Sequence, residues 1–195
     1  KHLLNSIKSL GKISNTVSKE VRNQYEEYPY PRWRYTYSNL PSNSLNIINN
    51  QIRPNKIKTD YKFNNPNVLV AGCGTGNHIC QTANYLNANI LGIDLSLTSL
   101  VYAKRKVEEL GLKNIKFIHA DILELNNLER KFDVIECVGV LHHMQDPLKG
   151  FKILLDLLEP HGFLLIGLYS EKARQHITKA KDFAKRNKFA WDKTS

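Results

Sequence analysis

The residues best suited to chemistry follow short apolar runs in the middle of this sequence. Three glycines, Gly72, Gly74 and Gly76, come directly after the run Val68–Ala71. Because glycine lacks a Cβ atom, such a loop can turn tightly and let a ligand lie against its backbone. The dinucleotide fingerprint G-x-G-x-x-G needs its third glycine where this sequence has Asn77, which argues against a nicotinamide-dependent oxidoreductase.

Two carboxylates occur at equivalent places after the next two apolar runs. Asp94 ends the second run, and a carboxylate there can accept hydrogen bonds from both hydroxyls of a ribose. The alternative for Asp94 is a helix cap, but Ser96 is available for that task. Asp121 follows the third run, where it can accept from the exocyclic amine of a base while Ile122 packs on the base. The glycine loop and these carboxylates predict a nucleoside site.

Alternating strands and helices must position these residues. Helices are expected over 76–87 and 97–110, from Pro147 onward and over 171–189, and such alternation predicts a doubly wound, mostly parallel α/β sheet. The carboxyl ends of its strands then meet at one edge, where ligands bind. Five strands are evident in the sequence: Val68–Ala71, Asn89–Ile93, Lys116–His119, Phe132–Val138 and Phe163–Leu168.

An arm over residues 1–65 precedes this pattern. Apolar spacing predicts one or two amphipathic helices within 1–24, interrupted at Gly11, and a short helix around 44–52. Between them lies a stretch of aromatic residues and prolines that is expected to be extended. Its side chains form either a strap that covers apolar surface or a lid over the ligand. The lid and substrate candidates are Tyr28, Tyr30, Arg32 and Trp33.

Composition and charge exclude several classes of protein. The 195 residues are 42% hydrophobic and 24% charged, which excludes wholesale disorder, and no apolar run approaches the roughly 18 residues of a membrane span. The net charge of +10 lies in the flanks: residues 67–168 hold 9 basic and 11 acidic side chains. Lysine outnumbers arginine 20 to 8, so compositional drift explains this charge better than a phosphate-bearing partner.

The cysteines and histidines give weaker signals. Cys73, His78 and Cys80 are metal-ligand types, but no fourth ligand is evident, so we expect no metal site. With Cys137, the three cysteines are too few for a disulfide framework and fit a reducing cytoplasm.

Over roughly residues 66–170 the sequence resembles the class I S-adenosylmethionine (SAM)-dependent methyltransferases. The resemblance rests on four segments in order: VLVAGCGTGNH, GID, HADIL and FDVIECVGVLHHMQDP. It implies a Rossmann-like methyltransferase fold, SAM as cofactor and S-adenosylhomocysteine as product. It further implies that the loop residues face the methionine portion of SAM and that Asp94 holds the ribose. Leu95 and Ile122 would enclose the adenine ring, and Asp121 would accept from the adenine amine. The backbone carbonyl of Cys137 would face the ammonium group. The loop residues are Gly72, Cys73, Gly74 and Gly76.

The resemblance leaves the methyl acceptor open. A small molecule or a protein side chain is favoured; the alternatives are a non-catalytic SAM-binding module and an RNA or DNA methyltransferase that uses the basic flanks. His142 and His143 would lie beside the methyl group, either as packing for the substrate wall or as a general base.

The resemblance also divides the chain. Residues 66–195 would form the SAM-binding domain behind the arm, and the sixth and seventh strands usual in the family are not evident. We therefore expect a chain truncated at its C-terminus, with a homodimer or a second chain covering the open sheet edge.

Overall fold

A parallel sheet with helices on both faces forms the centre of the computed structural model, which describes residues 2–36, 40–59, 61–187 and 189. The strands are β1 (Lys8–Leu10), β2 (Asn67–Ala71), β3 (Asn89–Asp94), β4 (Ile115–Ala120), β5 (Phe132–Val138) and β6 (Leu158–Gly167). The helices are α1 (His2–Asn5), α2 (Thr16–Glu27), α3 (Ser44–Gln51), α4 (Asn77–Thr82), α5 (Leu97–Glu109), α6 (Pro147–Asp156) and α7 (Gln175–Arg186). The strand order is β1-β4-β3-β2-β5-β6, and every pairing is parallel.

The core lies on both faces of the central strands. Leu69 packs with Ile153 of α6 on one face, whereas Val68 and Val70 pack with Leu100 of α5 on the other. Successive side chains of a strand point to opposite faces, so an uninterrupted apolar run is buried on both. This explains why the sequence predicted β2 to β5 within one or two residues of their ends.

The arm contributes a strand that the sequence analysis missed. The sheet has six strands rather than five, because Lys8–Leu10 pairs in parallel with Ile118–Ala120 of β4. The prediction of helix through residues 1–24 is therefore wrong at β1, which lies between α1 and α2. The cause is tertiary: the edge of β4 offers backbone hydrogen-bonding groups that a local apolar pattern cannot register.

Helix ends follow the predicted chemistry. The Ser96 side chain accepts a hydrogen bond from the Ser99 amide, as expected for the cap of α5. α6 begins at Pro147, and Gly111 follows α5 with a φ of +69°. Helix α4 ends at Thr82, five residues earlier than predicted. The predicted helix over 171–189 is divided into a 3-10 turn, Lys172–Arg174, and α7.

Candidate functional site

A cavity of about 320 Å³ opens at the carboxyl ends of the central strands. Its floor consists of the glycine loop after β2 and the ends of β3, β4 and β5. Helix α2 of the arm and Tyr169, just after β6, close its sides. The cavity therefore lies at the edge of the sheet where the sequence predicted a nucleoside site.

Backbone hydrogen bonds hold the glycine loop against β3. The Gly72 and Cys73 amides both donate to the Ile93 carbonyl at 2.9 Å. Gly74 has a φ of +52°, and a Cβ atom there would lie 2.8 Å from the Tyr30 carbonyl oxygen of the arm. Both the conformation and the close approach require glycine at this position. Gly72, Cys73 and Gly74 line the cavity.

Asp94 anchors the middle of the cavity. Its two carboxylate oxygens accept one hydrogen bond each, from the Gly74 and Ser96 amides, both at 2.8 Å. Burial raises the pKa of Asp94 above its ordinary value, although these two bonds act in the opposite direction. Each oxygen keeps lone-pair capacity, so the carboxylate can also accept from ribose hydroxyls.

The end of the cavity near β4 suits a flat base. Asp121 is buried, and one of its oxygens accepts from the Leu123 amide at 3.0 Å, which leaves a second oxygen for an exocyclic amine. Leu95 and Ile122 line the same cavity. His119 holds the loop between β3 and α5, since its Nε2 lies 2.9 Å from the Leu95 carbonyl oxygen.

Helix α2 forms a wall that the sequence analysis did not assign to the site. Ser18, Val21 and Tyr25 line the cavity. Their spacing of three and four residues places them on one helical face, and this is the signal that could have identified them. The Glu26 carboxylate accepts from the Leu97 amide at 2.6 Å and from the Thr98 amide at 3.1 Å, which ties α2 to the start of α5.

The aromatic stretch divides between the two predicted roles. Tyr30 lines the cavity, whereas Trp33 is buried and donates its indole N–H to the Thr75 carbonyl at 3.0 Å. Trp33 is therefore part of a packing strap. Tyr28 and Arg32 are exposed and do not line the cavity.

The two neighbouring histidines have different surroundings. His143 lines the cavity and makes an edge-on contact with Tyr25 at 6.4 Å between ring centroids. His142 stacks on Tyr169 at 3.9 Å and is not part of the lining. Burial, together with the charge of Arg174, lowers the pKa of both imidazoles.

Two of the predicted cofactor-binding residues lie outside the lining. Gly76 caps α4 with a φ of +90°, and a Cβ atom there would lie 2.7 Å from the Cβ of Ala103, so Gly76 permits packing against α5. Cys137 is fully buried in β5, directly before Val138, where the lining begins.

A buried carboxylate lies next to the cavity and was also missed. Glu136 of β5 is 2% exposed and lies 2.9 Å from the Nε2 of His78, a residue of α4 that lines the cavity. The Thr82 and Tyr85 hydroxyls donate to the same carboxylate at 2.6 and 3.1 Å. Sequence spacing does not reveal this cluster, because Glu136 lies more than 50 residues along the chain from its three partners.

Comparison with known proteins agrees with this geometry. The model of the family described as "Methyltransferase domain" matches residues 62–194, about two thirds of the chain. The chain belongs to this methyltransferase family. Its fold and its relatives identify it as a class I SAM-dependent methyltransferase domain, with SAM as the cofactor.

Relatives of this methyltransferase domain include longer proteins. An uncharacterised protein of Synechococcus is 31% identical over 180 residues, which are 85% of this chain and 40% of that protein. A tRNA (guanine-N(7)-)-methyltransferase of Clostridium kluyveri is 34% identical over 90 residues, 46% of this chain and 43% of that enzyme. The matched part of the chain thus spans less than half the length of either of these two relatives.

A solved structure shows the same fold with a ligand. PKMT2 from Rickettsia typhi, solved in complex with AdoHcy, has a TM-score of 0.54 and 26% identity. The match covers 61% of this chain and 24% of that one.

Two further structural findings concern the described residues alone. No group of three or more His, Cys, Asp and Glu side chains among them is placed to hold a metal ion. None of the helices within those ranges has the length and apolar character needed to cross a membrane.

Proposed function

We propose that this domain binds SAM in the cavity and transfers its methyl group to a small molecule or a protein side chain. The observation that carries the proposal is the convergence of the glycine loop, Asp94 and Asp121 in one cavity. These three elements follow β2, β3 and β4, which are neighbours in the sheet. They can hold an amino-acid chain, a ribose and a base in that order.

Each residue then has a definite task. Asp94 accepts from the ribose hydroxyls, Asp121 accepts from the adenine amine, and Leu95 and Ile122 pack on the two faces of the base. Bound SAM would supply a methyl group on a cationic sulfur, with S-adenosylhomocysteine as the leaving group and one proton lost from the acceptor. The chain aligns the acceptor for this displacement and excludes water.

The acceptor side of the cavity is aromatic. Tyr25, His143 and Tyr169 lie there, next to the loop after β5. With its lowered pKa, the His143 imidazole is neutral near pH 7 and can take the acceptor's proton, whereas His142 supports Tyr169 by stacking. Such a wall suits an uncharged or weakly polar acceptor group.

The division of the chain into residues 1–65 and 66–195 has a functional counterpart. We infer that the arm closes the SAM site, since α2 supplies three lining residues and Glu26 ties it to α5. The second segment contributes the glycine loop and both carboxylates.

RNA is the second candidate acceptor. Two observations favour it: a relative bears the name of a tRNA methyltransferase, and residues 169–195 hold 8 basic and 3 acidic side chains. Against it, the cavity lining contains no lysine or arginine among the described residues, so no fixed cation meets a phosphate there.

Calorimetric titration with S-adenosylhomocysteine tests the ligand assignment. We expect binding by the wild type and a loss of affinity of about tenfold to a hundredfold in Asp94→Ala, as for hydrogen bonds to a charged group. Asp156→Ala, an exposed carboxylate at the end of α6, is the matched control and should bind like the wild type. A folded wild-type protein that does not bind the ligand contradicts the proposal.

Transfer of labelled methyl groups into a cell extract tests the acceptor. Label that passes a small-pore filter identifies a small molecule, and label released by protease identifies a protein side chain. Label released by ribonuclease would instead favour the RNA candidate. Binding of SAM without transfer to any fraction would show a non-catalytic module.

A further inference from the structure

The α-carboxylate of SAM needs a partner within the cavity. The fixed charges that line the cavity among the described residues are Asp94 and Asp121, both acidic. Neither can hold a carboxylate, and the described lining has no lysine or arginine. The lining groups that can become cationic are therefore the imidazoles of His78 and His143.

The order of the strands places His78 at the appropriate end. The base and ribose sites follow β4 and β3, and the glycine loop follows β2. His78 lies in α4, directly after that loop, and its Nε2 is bonded to Glu136 of β5. The sheet order β4-β3-β2-β5 thus puts His78 at the end of the cavity farthest from Asp121, where the amino-acid portion of SAM would lie.

Glu136 fixes the orientation of the His78 ring through its contact with Nε2. Burial alone would raise the pKa of Glu136, but the bonds from His78, Thr82 and Tyr85 outweigh it and lower that pKa. The carboxylate is therefore ionised at neutral pH, and the Nε2 atom facing it must carry a proton. Within the part of the chain that the structure describes, no carboxylate is bonded to the His143 ring, and burial and the charge of Arg174 lower its pKa.

We propose that the His78 ring, positioned by Glu136, binds the α-carboxylate of the methionyl portion of SAM, because a ring held between two carboxylates is favoured in its doubly protonated form. Nδ1 of His78 is the donor toward the ligand, and Glu136 is a positioning residue that does not touch it. His78 lines the cavity with its side chain 33% exposed, whereas the Glu136 side chain is 3% exposed. This inference rests on the proposed SAM site.

Two ligands that differ only in the carboxylate test it. Affinities are measured calorimetrically for S-adenosylhomocysteine and for S-adenosyl-3-thiopropylamine, the same molecule without its carboxylate. His78→Asn should weaken binding of the first ligand by about tenfold to a hundredfold, the range for a charge-assisted hydrogen bond. Binding of the second should stay the same, because that ligand has no carboxylate for His78 to bind.

Glu136→Gln provides a second, independent variant. It keeps the shape of the side chain but removes the charge, so it should shift the ratio of the two affinities in the same direction as His78→Asn. A merely structural role of Glu136 would weaken both ligands equally and leave this ratio unchanged. His161→Asn, an exposed histidine near the start of β6, is the matched control and should match the wild type for both ligands.

The results separate the inference from the proposed function. Equal weakening of both ligands by His78→Asn, or no effect on either, overturns the role of His78 while the SAM site stands. If the folded wild type binds neither ligand, the SAM site itself is refuted.

Discussion

Asp94 is half-buried in the cavity and Glu136 is buried beside it, and the pKa values of these two carboxylates move in opposite directions. Asp94 has two backbone amides as donors, and burial outweighs them and raises its pKa. Glu136 has an imidazole and two hydroxyls, which outweigh burial and lower its pKa. The number and charge of the hydrogen-bond donors decide whether the pKa of a carboxyl group rises through desolvation or falls through hydrogen bonding. The Asp94 carboxylate can therefore accept further hydrogen bonds, which ribose hydroxyls would donate.

This difference predicts how ligand binding depends on pH. Ribose hydroxyls donate to the ionised form of Asp94, so affinity is complete above the raised pKa and falls as the pH drops through it. Because that pKa is raised, the loss begins above the range of an ordinary aspartate, about pH 4. Calorimetry with S-adenosylhomocysteine from about pH 8 to about pH 5 measures this loss.

The variant Asp94→Asn tests whether Asp94 causes this loss of affinity at low pH, which we call the acid limb. It should bind weakly and with little dependence on pH over the same range. The charged groups that act on Asp94 are Glu26 of α2 and His119 of β4. An acid limb that persists in Asp94→Asn would assign it to one of these neighbours instead.

Helix α2 connects the arm to the nucleotide-binding part of the chain. Its inner face contributes Ser18, Val21 and Tyr25 to the cavity, and its last turn places Glu26 over the first amides of α5. A carboxylate at the start of a helix accepts from its free amides and interacts favourably with the helix dipole. The Ser96 hydroxyl also donates to the Tyr25 carbonyl at 3.1 Å. One element therefore caps a core helix and forms a wall of the ligand site.

Replacing Glu26 should weaken both functions of α2. Glu26→Ala leaves two amides of α5 without their acceptor, which we expect to lower the free energy of unfolding by about 0.5–2 kcal/mol. Affinity for S-adenosylhomocysteine should fall as well, because α2 loses its attachment. Denaturant unfolding and calorimetry measure the two effects.

The matched control for this element is Glu20→Ala, an exposed carboxylate on the same helix. It should leave both quantities close to those of the wild type. A Glu26→Ala protein with normal ligand affinity would show that the arm helix stays in place without this cap.

At the scale of the whole molecule, the arm is packed against the rest of the described residues and shares their sheet. β1 of the arm belongs to the same sheet as β2 to β6, and Trp33 packs with Cys80 and Val107. The three thiols are buried in this fold: Cys73 in the glycine loop, Cys80 in α4 and Cys137 in β5. Their reactivity therefore reports opening of the molecule.

The thiols should react slowly in the native protein. Burial raises the pKa of Cys80 to about 11 and that of Cys137 to about 12, and it also raises that of Cys73. We expect labelling by a thiol reagent to be about a hundredfold or more slower in the native protein than in denaturant, where all three thiols react. The reason is that the native fold lowers the fraction of each thiol that is ionised and also blocks access of the reagent. S-adenosylhomocysteine should slow Cys73 further. Rapid labelling of any thiol in the folded protein would contradict this burial.

The central strands, the caps of α5 and α6, and the residues of the glycine loop were evident in the sequence. Local signals specify them: apolar runs of strand length, capping serines and prolines, and glycines between a strand and a helix. Asp94 and Asp121 were found for the same reason, since parallel strands bring their carboxyl ends to one edge. Their roles in binding SAM stay predictions until the titrations are done.

Contacts between distant segments were decided only by the tertiary structure. β1 forms because the edge of β4 accepts it about 110 residues along the chain, and Glu136 meets His78 because β5 lies beside β2. Likewise, Trp33 packs as a strap and Tyr30 lines the cavity because of where each residue lies in the folded chain, which the composition of the aromatic stretch does not specify. Periodicity records which side of an element is apolar, but not which other element that side meets. The sequence by itself thus determined the nucleotide-binding edge, and tertiary packing decided what surrounds it.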